Sequence, residues 1–497
     1  MKTITINPIT RLEGHGKIII FLNDEGNVEN AYLQIPELRG FEKFCEGRRA
    51  EDMPIITPRI CGVCPVAHHL ASTKALDACF SVEPTETAKK LRELMNMGYF
   101  IYDHILHFYF LGGPDYVVGP DAPASERNIF GVIKRVGLDV GKEVIKHRAY
   151  GQKITEIIGG KATHPVCGVP GGVSKGLNEE ERNRIEEMAR SCIEFAKFSL
   201  GIFDDIVLKN HVYVDMILSD PYQLNTYNMG LVDRNDHVNL YDGEIRVADQ
   251  DGDEFERFKA EEYLNHVAER VEPWTYSKLT YLKKVGWKGL NAGPESGIYR
   301  VGPLGRLNAA EGMATPLANS EYKRMYETLG SKPIQSTLAF HWARLIELLY
   351  AAEHAVELST DSSITGNDLR NHIREPGEGV GVVEAARGTL FHHYRLDEEA
   401  MVEKVNLIVA TTNNYADICC SIRDAAKGII KGGEISDGLL NRVEMAFRAY
   451  DPCFGCSTHS LPGQSPLTIE VYNGSHTLLK RISRASVRDQ YTRAEIN

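Results

Sequence analysis

The apolar positions of this chain switch between two periods. Lys17 to Leu22 is a short apolar run, Asn23 to Asn27 is turn chemistry, and a second extended run goes from Val28 to Ile35. That pattern predicts a β-hairpin near the N-terminus. Helical spacing then takes over. Cys61 to Phe80 reads as a loop leading into a helix, and Val82 to Leu111 as a second helix closed by Gly112-Gly113-Pro114. Residues 127–158 read as a further long helical region. From Asn178 to Leu208 the residues Ile185, Met188, Cys192, Phe195, Ser199, Ile202 and Ile206 recur on one helical face.

Residues 218–312 change character. Glycine, asparagine, aspartate and aromatic residues rise, and Tyr241-Asp242-Gly243 and Asp251-Gly252-Asp253 mark turns. This predicts a β-rich lobe inserted into a helical body. Pro333 to Leu358 returns to helix. Val380–Ala385, Thr389–Tyr394 and Val405–Thr411 read as strands, and Ser436–Tyr450 as the last helix. Beyond it, Pro466–Val471, an Asn473-Gly474 turn and Thr477–Ile482 spell another hairpin. The expected class is α+β, mainly α, with a central helical bundle and peripheral β-rich lobes.

Composition narrows the functional classes. The net charge of −12 argues against nucleic acid or an anionic membrane surface as a partner. No run of 18 apolar residues occurs, so no membrane span is predicted. The first residues lack a signal-peptide pattern, and Cys45, Cys79, Cys167, Cys192, Cys419 and Cys420 are scattered rather than framed as disulfides. Both features point to the cytoplasm.

Four other cysteines are ordered. Cys61-Gly62-Val63-Cys64 is followed by His68, and Cys453-Phe454-Gly455-Cys456 by His459. Two intervening residues let both sulfurs of a pair turn toward one ion, and thiolates are soft donors suited to nickel, copper(I), zinc or iron. A structural zinc site with four cysteines is one alternative. Such sites usually staple a local fold, whereas 388 residues separate these pairs. A pair of redox Cys-x-x-Cys motifs is another, but neither pair sits in an obvious βαβ context. The remaining cysteines form no iron–sulfur motif, and no nucleotide-binding glycine loop is evident. A redox enzyme built on this chain therefore needs a partner to carry electrons away.

Together, Arg-x-Cys-Gly-x-Cys-x-x-x-His at 59–68 and Asp-Pro-Cys-x-x-Cys-x-x-His at 451–459 resemble the large, catalytic subunit of nickel–iron hydrogenases, of the cytoplasmic type coupled to soluble carriers. Arg11-Leu12-Glu13-Gly14-His15, Arg39-Gly40-Phe41-Glu42, His107-Phe108-Tyr109 with Asp115, Pro170-Gly171-Gly172 and Arg387-Gly388 extend the likeness along nearly the whole chain. A quinone-site subunit of respiratory NADH dehydrogenases shares that fold but lacks the four cysteines.

The resemblance implies reversible heterolytic cleavage of dihydrogen. It implies nickel on Cys61, Cys64, Cys453 and Cys456, with Cys64 and Cys456 bridging to an iron that carries carbon monoxide and cyanide. Glu13 would be the first proton relay, and Arg387 would hang over the open face of the site beside Asp115. Thr411 would bond a cyanide, and His68 a ligating sulfur. Glu42 and His459 would hold magnesium (or iron). Proline usually precedes the matching arginine and often the matching hydroxyl residue; here Ala386 and Ala410 stand there. The expected partners are an iron–sulfur small subunit, which His164 would face, further diaphorase or electron-carrier subunits, and a maturation endopeptidase. The domain reading is a catalytic unit over residues 1–459 and a maturation peptide over 460–497, clipped after His459. While attached, that peptide is expected to keep Cys453 and Cys456 from settling into a buried site.

Overall fold

The computed structural model describes residues 2–459, 467–472 and 477–484. The N-terminal hairpin is part of an antiparallel sheet of β1 (Lys2–Ile6), β2 (Lys17–Leu22) and β3 (Val28–Gln34). Ile18, Ile20 and Leu22 alternate inward and are buried.

Four long helices form the body. They are α1 (Pro65–Cys79), α2 (Glu86–Leu106), α3 (Leu138–Gly159) and α4 (Glu179–Phe203), joined later in the chain by α5 (Phe340–Thr360). Thr85 caps α2 by accepting from the Ala88 amide, and a capping box of Asn178 and Glu181 starts α4. Helix α2 packs on α3 and α5, and α5 on α4. At the α2–α3 crossing a side-chain carbon on Gly98 would meet the Gly151 carbonyl at 3.0 Å, so the backbones touch where neither residue has a side chain.

Tyr227–Val232, Glu244–Ala248 and Glu254–Phe258 form an antiparallel sheet around a second apolar cluster. The stretch 218–312 also contains a helix, Gly302–Ala309. A three-stranded antiparallel sheet then joins β4 (Glu378–Ala385), β5 (Gly388–Leu396) and β6 (Val402–Ile408). Helix α1 lies directly on β4. A carbon on Gly381 would fall 2.2 Å from the Ala71 carbonyl, so alanines on the helix and glycines on the strand permit the approach. Helices α6 (Ala410–Ile429) and α7 (Asp437–Arg448) complete the body.

Three expectations shift. The helical region at 127–158 is two helices, Ile129–Val136 and α3, broken at Gly137 with φ 96°. The strand expected to reach Thr411 ends at Ile408, and Thr411 stands in the first turn of α6. In the tail, Leu467–Tyr472 pairs antiparallel with Leu478–Arg484, while the Asn473-Gly474 turn lies outside the described residues.

Candidate metal centre

The two cysteine pairs meet. Cys61 Sγ lies 3.4 Å from Cys453 Sγ, and Cys64 Sγ lies 3.3 Å from Cys456 Sγ, each contact joining residues 392 positions apart. All four sulfurs fall within 4.8 Å of one another and all four residues are buried. Tetrahedral coordination at ~2.3 Å would separate sulfurs by about 3.8 Å; the sulfurs here stand between 2.7 Å (Cys453 to Cys456) and 4.8 Å apart, a range that brackets that spacing.

Local structure accounts for the meeting. Cys61 and Cys64 form the turn that opens α1, whose first residue is Pro65. Cys453 and Cys456 flank the start of a single helical turn, Phe454–Ser457, reached through Asp451 with φ 57°. Arg39 joins the two loops, since one guanidinium nitrogen donates to the Ile60 carbonyl at 2.5 Å and to the Gly455 carbonyl at 3.0 Å. Thr411 accepts from the Cys453 amide at 2.9 Å.

Glu13 is stitched to the same loop. Its carbonyl accepts from the Phe454 amide at 3.0 Å, and its carboxylate accepts from the Gly455 amide at 3.0 Å and the Cys453 thiol at 2.9 Å. Burial, then the nearby Cys61, raises the Glu13 pKa. Hydrogen bonds from Cys453, Cys456 and Cys64 hold Cys61 well below the usual thiol range, while burial pushes Cys453 and Cys456 well above it. The pocket thus favours one sulfur anion among thiols, and a cation is what would let the others ionise.

Arg387 sits at the β4–β5 turn, buried, and lines the same pocket as Cys64, Cys453 and Cys456. Its fork donates to both oxygens of Asp103, at 2.9 and 3.2 Å, and pairs with Asp451 at 2.9 Å. Burial pushes Asp451 up to about 7 even beside Arg387. The expected neighbour Asp115 is elsewhere, salt-bridged to Arg11 at 2.5 Å and Arg448 at 2.7 Å. Asp103 projects from α2, whereas Asp115 lies beyond the π-helical turn His107–Gly112, which redirects the chain toward α7.

A second polar group lies behind the cysteines. His459 Nδ1 is 3.2 Å from Glu42, Leu407 donates its amide to Glu42 at 2.9 Å, and Lys278 stands 3.9 Å away. Burial works to raise the Glu42 pKa, but His459 and Lys278 outweigh it and the carboxylate falls below its ordinary value. His459 Nε2 is buried without a protein partner among the described residues. His68 lines the sulfur pocket, and burial lowers its pKa to about 4. His164 lies on a loop with φ 58°, beside Arg59. Cys453, Cys456 and His459 are all buried, and the Arg39 and Glu42 amides donate to the Thr458 and His459 carbonyls.

The family model for nickel-dependent hydrogenases matches residues 39–126 and 143–459. The chain belongs to the nickel-dependent hydrogenases. A HoxL-like model matches residues 3–38. The chain is 49% identical over 484 residues to an F420-non-reducing hydrogenase iron-sulfur subunit of Archaeoglobus profundus, covering 97% of this chain and 99% of that protein. It is 38% identical to the beta chain of the NAD-reducing hydrogenase HoxS of Cupriavidus necator, covering 97% and 100%. A crystal structure of an NAD+-reducing [NiFe]-hydrogenase in the H2-reduced state superposes with a TM-score of 0.87 at 36% identity, covering 92% of this chain and 100% of that one. The four-sulfur pocket is therefore the metal-binding group of the catalytic chain of a hydrogenase, an oxidoreductase acting on dihydrogen. No helix among the described residues is long and apolar enough to cross a membrane.

Of the residues singled out in the sequence, Glu13 and Arg387 lie against the cysteine cluster and Glu42 lies beside His459. The pairing of Arg387 with Asp103 and Asp451 has no counterpart in the sequence motifs. The one signal for Asp103 was a carboxylate within the largely apolar stretch Met95–Ile105 of α2.

Proposed function

We propose that this hydrogenase chain holds nickel on Cys61, Cys64, Cys453 and Cys456, with Cys64 and Cys456 shared with an iron that carries carbon monoxide and cyanide. The observation that carries the reading is the convergence of four buried sulfurs from opposite ends of the chain. Soft thiolates fit nickel and iron. The small space bounded by Ala385, Leu390, Val409, Ala410 and Thr411 suits diatomic ligands. Glu42 and His459 would hold magnesium (or iron), in keeping with a carboxylate beside an unpartnered imidazole nitrogen.

When bound, the bimetallic centre supplies the Lewis-acidic site at which dihydrogen is polarised and split heterolytically. The protein's own groups do the rest. Arg387, fixed by Asp103 and Asp451, presents a guanidinium to the pocket. A cysteine thiolate, Cys456 in this reading, or Arg387 receives the proton. Glu13, bonded to the Cys453 loop, passes it outward. Thr411 and His68 offer polar atoms to the ligands and sulfurs.

Electrons then pass to an iron–sulfur small subunit, then to a soluble carrier such as NAD(P) or ferredoxin, in the cytoplasm. Further diaphorase or electron-carrier subunits complete the assembly. A maturation endopeptidase removes residues 460–497 after His459.

Metal analysis with infrared spectroscopy tests the core of this reading. Nickel and iron with carbon monoxide and cyanide bands are expected; stoichiometric zinc alone would overturn it in favour of a structural site. Cys64→Ser is expected to lose nickel and hydrogen turnover together, and normal turnover would refute the ligand set. Intact mass tests the cleavage: a mature, active chain still carrying Ser460–Asn497 would defeat it.

A further inference from the structure

Behind the sulfur pocket runs a line of buried polar side chains of which the chemistry above uses only His68. His68 Nδ1 lies 3.1 Å from His392 Nε2. His392 Nδ1 lies 2.5 Å from the Tyr394 hydroxyl, and that hydroxyl donates to Ser72 Oγ at 3.0 Å. All four residues are buried; His68 lines the sulfur pocket, and its Nε2 has no protein partner among the described residues.

A neutral imidazole carries one N–H and one lone pair, and burial disfavours the cation. Each ring must therefore donate on one side and accept on the other, so the polarity of the line is all-or-none. Two arrangements satisfy it. If Tyr394 gives its proton to Ser72, His392 donates from Nδ1, His68 donates from Nδ1, and a bare His68 Nε2 faces the pocket. If Tyr394 turns its proton to His392, then His392 Nε2–H donates to His68 and His68 Nε2–H points into the pocket. Four cysteine sulfurs around a cation offer acceptors only. Only the second arrangement gives His68 a partner there.

We propose that His392 and Tyr394 are positioning residues that hold His68 in its Nε2–H tautomer, with the Tyr394 hydroxyl, aimed here at Ser72, as the element that turns. The line ends at Ser72, which is 0% exposed, so it orients rather than leads protons to solvent. The inference rests on the proposed nickel–iron occupancy of the pocket.

The test uses the purified holoenzyme, reading nickel per chain, the cyanide and carbon monoxide infrared bands, and hydrogen oxidation. Wild-type protein without nickel or those bands would overturn the occupancy itself. With both present in the wild type, His392→Leu is expected to keep nickel, shift the bands, and lower turnover ~10–100-fold, the usual cost of losing such an orienting partner. His392→Gln, whose amide N–H can reach His68 Nδ1, is expected to restore the bands and most of the turnover. Tyr394→Phe leaves both rings in place and is expected to move the bands in the same direction by less. Wild-type bands in His392→Leu would overturn the proposal, as would a Gln variant no better than Leu. Should the Leu variant fail to fold, unchanged bands in Tyr394→Phe overturn it alone.

Discussion

Replacing Arg387 with lysine tests the geometry above the pocket while keeping its charge. The guanidinium makes three contacts to carboxylates, at 2.9 and 3.2 Å to Asp103 and 2.9 Å to Asp451. A fork can hold both oxygens of one carboxylate and one of another at once. A single ammonium nitrogen cannot reproduce that plane, so at least one charge-assisted hydrogen bond is lost. Such a bond is worth ~1.5–3 kcal/mol. At about 1.4 kcal/mol per tenfold in rate, the expected loss in kcat is ~10–100-fold. A neutral replacement would confuse the result, because two buried carboxylates would lose their cation and the fold would suffer by ~3–5 kcal/mol. The assay is hydrogen-driven reduction of a redox dye by the purified complex, with nickel measured in the same sample. Nickel should stay at the wild-type level. Asp103→Asn should reproduce the loss, because Asp103 takes two of the three contacts. Full turnover in nickel-loaded Arg387→Lys would refute the claim that the fork's orientation matters.

Glu13→Gln keeps an oxygen for the Gly455 amide, so nickel should remain while hydrogen–deuterium exchange with water falls to background; unchanged exchange would remove Glu13 from the proton route. His354 tests electrostatics far from the pocket. Burial works against its charge, but Glu357 at 2.8 Å and Glu93 at 3.0 Å hold its pKa up to about 9, against 6.5 for a free histidine. The folded chain thus keeps a proton that the unfolded chain releases. This contribution is full below about pH 6.5 and lost as pH rises through 9. His354→Gln should cost ~1–3 kcal/mol at pH 6, read as a lower unfolding midpoint, and nothing at pH 10. An equal loss at both would show that packing, not charge, is involved.

The sequence by itself determined what depends on neighbours along the chain. Helical spacing marked α4, turn chemistry marked the β2–β3 hairpin, and two Cys-x-x-Cys pairs with trailing histidines marked a soft-metal site. These signals are local because a helix, a turn or a two-residue chelate is built from residues a few positions apart. Tertiary structure decided everything that needed distant segments to choose among equals. Asp103 lies on the long helix and Asp115 just beyond its end, both carboxylates, yet only the turn of α2 and the π-helical segment after it aim Asp103 at Arg387 and Asp115 at Arg448. Thr411 ends an apolar, β-branched run that reads as strand, and becomes helical where its hydroxyl takes the Cys453 amide. His392 carries no motif, and its place behind His68 follows from β5 packing on α1. Pairings of that kind depend on which faces pack together once the core closes, and linear spacing holds no record of them.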